Sequence, residues 1–315
     1  MEPHMRAFVV SAHDEAPHMA DVPDPEVGAD LSAGARVVPV LAAGLNPVDI
    51  ALATPPSAQG PFPRVLGAEG VVSLDGRLCY VERALIPHGT FAPLTVIDPA
   101  EAIVLPEGIS PAEAVPLGIA GLAGWIPIET TGAMRAGETV LVLGATGAVG
   151  QAAAQAARLL GAGRVVAVGR NEAKLQSLVD RGVADESVTL GSDDDAAAMR
   201  DATKGGADLI LDALYAAPLA DALRYSRPGA RCVTVGNRAG NVLTLPLMSI
   251  FGKSLLTYSN GSVDLELKRS AFTRMAQLVA SGDFWIEHQT CSLSEVAEAW
   301  QSQLNRSSTK FVITM

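Results

Sequence analysis

Hydrophobic positions follow two rhythms along this chain, and the change falls near Pro111. Before it, short apolar stretches are interrupted every few residues. Residues 6–11 alternate as an edge strand does, 20–34 are broken by Pro23, Pro25 and Gly28, and 35–42 read as strand again. A Pro- and Ser-containing stretch at 55–63 reads as loop, and further strands are expected at 78–81 and 91–97. Glycines inside the apolar run at 65–72 predict a bulge or the close approach of another backbone. After Pro111 helical and strand periods alternate: a helix over 112–131, then strands at 140–143, 164–169, 209–212, 232–235 and 254–258 with helical segments between. The remainder returns to the first pattern, with a helix over 263–281, a strand at 286–289, a helix over 294–304 capped by Ser294, and a closing strand at 310–314. The expected fold class is α/β: a β-rich domain of residues 1–111 plus 261–315, interrupted by a doubly wound parallel-sheet domain over 112–260.

The most informative stretch opens the inserted domain. A fully apolar strand at 140–143 runs into Gly144-Ala145-Thr146-Gly147-Ala148-Val149-Gly150, a helix follows at once, and a second apolar strand ends at Gly169. A bare glycine pattern is weak, but strand, turn, helix and strand in register make a dinucleotide-binding βαβ unit. The uncapped helix start would then cradle a diphosphate on Thr146, Gly147, Ala148, Val149 and Gly150. At the end of the second strand an acid would favour the ribose hydroxyls of NAD. This chain has Gly169-Arg170-Asn171, with Lys174 one turn further, a pattern suited to the 2′-phosphate of NADPH. The competing reading is that Arg170 and Lys174 are the solvated start of a helix.

Composition narrows the partners. A net charge of −11, with Lys and Arg scattered singly, argues against nucleic acid and anionic membrane. The three cysteines lack any Cys-x-x-Cys spacing, which fits neither a disulfide framework nor a structural zinc lobe. No run of about twenty uncharged apolar residues occurs, so a cytoplasmic protein acting on a small molecule is expected.

The succession 44–49 (Gly-Leu-Asn-Pro-Val-Asp), 66–70 (Leu-Gly-Ala-Glu-Gly), 89–92, 121–125, 144–150, 208–212 and 233–237 resembles the medium-chain dehydrogenase/reductase superfamily, and within it the zinc-independent quinone oxidoreductase-like branch that also contains enoyl reductases. The resemblance implies a GroES-like β-barrel domain with an inserted Rossmann domain, the cofactor in the cleft between them, and a homodimer through the sheet edge at 254–258. It adds Leu214, Val235, Gly236 and Asn237 to the cofactor contacts and makes Asn46 a polar contact at the nicotinamide and substrate end, with Asp49 holding the turn. An Asn before Pro47 is equally a plain turn residue. The departures matter too. Zinc alcohol dehydrogenases of the superfamily carry Cys where this chain has Asn46 and His where it has Ala68, so no metal site is expected. Tyrosine positions of the branch are replaced near Ala51 and Leu52 and near Thr189, and the barrel is shortened between Val72 and Asp75. Tyr258 and Tyr80 are candidate proton donors, with amphipathic packing as the plainer account of each. The functional expectation is an NADPH-dependent, zinc-free reductase acting on a quinone or on an enone or enoyl C=C bond. The alternatives are a pathway-dedicated enoyl or imine-type reductase and a low-turnover NADPH-binding sensor.

Overall fold

The computed structural model describes residues 4–13, 15–27, 34–54 and 61–315; Gly28 and the greater part of the 55–63 loop lie outside them. The chain forms two compact units, Met1–Ile119 with Phe272–Met315, and Ala120–Ala271. Both junctions lie further along the chain than the change of hydrophobic rhythm, because helices run through them.

The first unit contains β1 (His4–Val10), β2 (His18–Pro23), β3 (Arg36–Leu45), α1 (Pro47–Ala53), β4 (Arg64–Val65), β5 (Glu69–Leu74), β6 (Arg77–Val81), β7 (Leu94–Ile97), β8 (Ile103–Val104) and α2 (Pro111–Ala114). Helix α3 (Ile119–Ile126) begins at the junction. The apolar pattern predicts one helix over 112–131, but the chain breaks it into α2, a 3-10 turn at Val115–Leu117, α3 and a π turn at Pro127–Thr131. Pro116 and Pro127 supply no amide hydrogen to a continuous ladder. The seven residues after Asn46, where the sequence predicts a turn through Asp49, form α1, with Pro47 in its first turn where a missing N–H costs nothing.

The second unit runs β9 (Thr139–Leu143), α4 (Ala148–Leu159), β10 (Arg164–Gly169), α5 (Glu172–Asp180), β11 (Glu186–Thr189), α6 (Asp195–Ala202), β12 (Leu209–Asp212), α7 (Ala216–Tyr225), β13 (Arg231–Thr234) and β14 (Ser254–Thr257). Its six strands are all parallel in the order β11-β10-β9-β12-β13-β14, the doubly wound arrangement whose direction of growth reverses between β9 and β12. Every residue of β9 is buried, as a central parallel strand requires. Helix α8 (Leu265–Ser281) then leads back to the first unit, which β15 (His288–Ser292), α9 (Val296–Leu304) and β16 (Lys310–Thr314) complete.

In the first unit β16 enters the sheet between β15 and β3, and β5 and β6 follow. Phe8, Phe91, Trp300, Phe311 and Ile313 fill the core beneath. A Cβ on Gly70 would lie 2.8 Å from the carbonyl oxygen of Ala42, so the glycine in β5 does admit a neighbouring backbone. Ser292, not Ser294, caps the turn before α9: its backbone N–H and hydroxyl both donate to Glu295, at 2.7 Å each. No single helix among the described residues is long and apolar enough to cross a membrane.

Candidate nucleotide site and buried polar network

The turn after β9 is locked before any ligand arrives. Gly144 takes φ +85°, and the N–H groups of Gly144 and Ala145 both donate to the Val168 carbonyl of β10 at 2.9 Å. Gly147 donates to Gly144 at 3.1 Å, and Gln151 Nε2 donates to the Thr146 carbonyl at 3.1 Å. Helix α4 then starts with no side-chain cap, leaving the amides of its first turn without helical acceptors.

The glycines of the turn have separate causes. A Cβ on Gly150 would lie 2.3 Å from the Gly144 oxygen, so helix-to-turn packing alone demands glycine there. Gly147 has an ordinary φ of −87°, and a Cβ added to it would come no closer than 3.6 Å to the protein. The fold therefore does not require glycine at 147. What the missing side chain leaves is open room above the uncapped helix end, the space a diphosphate needs.

Most of the predicted cofactor residues gather at the C-terminal ends of the strands around this turn. Gly169 abuts Thr146, with 3.3 Å between a Cβ there and Thr146 Cγ2. Arg170 follows it, exposed, with no acceptor for its guanidinium among the described residues. Asn171 caps α5 by accepting from the N–H of Lys174 at 3.0 Å, and Lys174 is half-buried. Leu214 comes from the loop after β12, where its Cδ2 lies 3.2 Å from a Cβ placed on Gly144; Val235, Gly236 and Asn237 follow β13. Tyr258 directly follows β14, half-buried, with its hydroxyl 3.5 Å from the Leu122 carbonyl oxygen.

Asn46 belongs to the other unit and sits in a polar network that the sequence reading did not assemble. Glu69, fully buried, accepts four hydrogen bonds: from Asn46 Nδ2 (2.8 Å) and Lys310 Nζ (2.6 Å) on Oε1, and from the Tyr80 hydroxyl (2.7 Å) and the Ile119 N–H (2.7 Å) on Oε2. Lys310 Nζ also donates to Asn46 Oδ1 at 2.6 Å. Both amide hydrogens of Asn46 thus go to protein acceptors, Glu69 and the Gly44 carbonyl, which leaves only lone-pair capacity on Oδ1 for a ligand.

Tyr80 departs from the proton-donor expectation, whereas Asp49 keeps its expected place. Tyr80, offered by the sequence as a proton donor, is 1% exposed, and burial and the Glu69 carboxylate hold its hydroxyl well above its ordinary pKa. Its proton is committed to Glu69. Asp49 does hold the turn: it accepts from the Asn46 N–H at 2.7 Å and the Ala68 N–H at 2.9 Å, and burial pushes its carboxyl up to about 7 despite those donors. The network could have been sought at Glu69, a lone acid inside an apolar run. Lys310 gave no such signal, since a lysine at the start of a strand reads as solvated.

Among the described residues no group of three or more His, Cys, Asp or Glu side chains is placed to hold a metal. Cys232 is buried within β13, and burial pushes its thiol up to about 12, as befits a small core residue.

The family described as "Zinc-binding dehydrogenase" matches residues 148–281, from the start of α4 to the end of α8. A quinone oxidoreductase from Thermus thermophilus, solved alone and with NADPH, superposes with a TM-score of 0.78 at 26% identity over 99% of this chain and 100% of that one. An NAD-dependent alcohol dehydrogenase superposes with a TM-score of 0.82 at 27% identity over 99% of this chain and 100% of that one. Among curated sequences, the spectinabilin polyketide synthase system protein NorB of Streptomyces orinoci is 34% identical over 221 residues, 68% of this chain but 10% of that protein. The chain thus spans about a tenth of the length of this relative. The chain belongs to the medium-chain dehydrogenase/reductase superfamily, in its quinone oxidoreductase-like part.

Proposed function

We propose that this protein is an NADPH-dependent reductase that passes hydride to a quinone or to a C=C bond conjugated to a carbonyl, without a catalytic zinc. The observation that carries the reading is the open, uncapped turn at 144–150 followed across the sheet by Arg170, whose guanidinium has no acceptor among the described residues. Thr146 to Gly150 would hold the diphosphate on backbone amides, and Arg170 with Lys174 would hold a 2′-phosphate by a charged fork and a point charge. The reduced nicotinamide, when bound, supplies the hydride.

The residues in place of metal ligands support the zinc-free part. Asn46 and Ala68 are poor or impossible zinc donors, and both oxygens of Glu69 already receive protein hydrogen bonds. Without a Lewis acid, an acceptor whose negative charge spreads into an enolate or hydroquinone anion asks less of the protein than a plain ketone does. Asn46 would contribute through Oδ1 and Tyr258 through its hydroxyl. The polyketide synthase relative favours an enoyl acceptor, and the Thermus structure favours a quinone.

The partner reading is a second copy of this chain. Strand β14 is the unpaired edge of the six-stranded sheet, all four of its residues are exposed, and Met248 and Phe251 beside it are 74% and 69% exposed.

Steady-state oxidation of NADPH against a panel of quinones, enones and enoyl thioesters tests the proposal. Saturable turnover on at least one class is expected. Saturable binding with no turnover on any of them would favour a nucleotide-binding sensor instead.

A further inference from the structure

Two adjacent residues with side chains, Tyr215 and Ala216, stand at φ 61° and 51°, and Tyr215 has ψ −165°. Such backbone costs about 1–3 kcal/mol per residue and persists only where the surroundings enforce it, which is most often at functional sites. Here the enforcing group is Asp212, fully buried at the end of β12. One carboxylate oxygen accepts the N–H groups of Leu214 and Tyr215, both at 2.8 Å, and the other accepts the Thr234 hydroxyl of β13 at 3.0 Å. The elbow at 213–216 is tied on both flanks. Ala213 donates to the Leu143 carbonyl of β9 at 3.1 Å, while Arg238 and Ala239 donate to the carbonyls of Ala213 and Leu214 at 3.2 and 2.8 Å. Leu214 is thereby wedged against Gly144, at the gap where the strand order reverses.

That position has a meaning on the reading above, on which this inference rests. With the diphosphate over Gly147 and the adenosine phosphate at Arg170 beyond β10, the nicotinamide half must run to the opposite side of the turn, over β12 and β13. We infer that Asp212 is a positioning residue for that half of the cofactor: it holds the strained elbow so that Leu214 forms an apolar stop for the nicotinamide ring. Thr234 shares the work by orienting the carboxylate.

The test titrates NADPH and 2′-phospho-ADP-ribose, which lacks the nicotinamide ring, into the whole protein by calorimetry. Asp212→Asn keeps one acceptor and sets an amide N–H₂ against donors it cannot pair with. NADPH affinity is expected to fall by about 10-fold or more, while affinity for the fragment changes by less than about 2-fold. Leu214→Ala, made at a half-buried side chain, gives the same split and serves where Asp212→Asn does not fold. Equal loss for both ligands, or no loss for either, overturns the positioning role. Failure of the unaltered protein to bind either ligand is a separate result and overturns the NADPH reading itself.

Discussion

Lys310 and Glu69 form an ion pair at 2.6 Å with side chains 3% and 0% exposed, so each offsets the desolvation cost of the other. Removing one partner leaves an uncompensated buried charge. Lys310→Met is expected to cost about 3–5 kcal/mol in denaturant unfolding, and combining it with Glu69→Gln should recover much of that loss. Asp49 adds a pH dependence. Its carboxyl is raised from 3.8 to about 7, chiefly by burial, so between those values the folded chain holds a proton that the unfolded chain has released. Stability from this group is full below about pH 4 and is lost as pH rises to about 7. Asp49→Asn is expected to flatten that part of the stability profile, measured by thermal unfolding across the range. Gly147 separates fold from ligand. Gly147→Ala should cost about 1 kcal/mol or less in stability, since nothing in the protein crowds the new methyl, yet it should weaken dinucleotide binding at least tenfold by filling the room above α4.

At the scale of elements, the legible parts were those with a strong local signature. The strand-turn-helix at 139–159 was readable because apolar run, glycines and small-residue helix follow each other without a gap, and β16 was read with its observed ends, Lys310 and Thr314. The breaks within 112–131 are not legible, because its apolar content outweighs the two prolines inside it. Strand β11, with one buried residue in four, carries too little periodicity to be seen. The polar network was the least legible part of the site, since its members come from β5, β6, β16 and the ends of β3 and α3, and no spacing in the chain announces that they meet. Strand β14 is the sheet edge that the family resemblance implies, and it carries a prediction. A two-fold axis through it would pair the strand with its own copy. The protein is expected to sediment as a dimer, and Leu256→Glu on that edge should shift it toward monomer without changing nucleotide affinity by more than about 2-fold.

For the whole molecule, the parallel sheet of one unit carries an uncapped glycine turn and an exposed arginine, while the other unit holds the buried Lys310–Glu69 ion pair beside Asn46. The solved relatives include one crystallised with NADPH and one described as NAD-dependent, so the fold alone does not select the cofactor, and the proposed selection rests on the residues at the end of β10. The most direct measurement is therefore the affinity for NADPH and NADH of the unaltered protein and of Arg170→Ala, by calorimetric titration. A preference for NADPH is expected, and the substitution should weaken NADPH by about 1.5–3 kcal/mol, roughly 10- to 150-fold, while leaving NADH nearly unchanged. Equal weakening of the two cofactors, or no preference to begin with, would contradict the account.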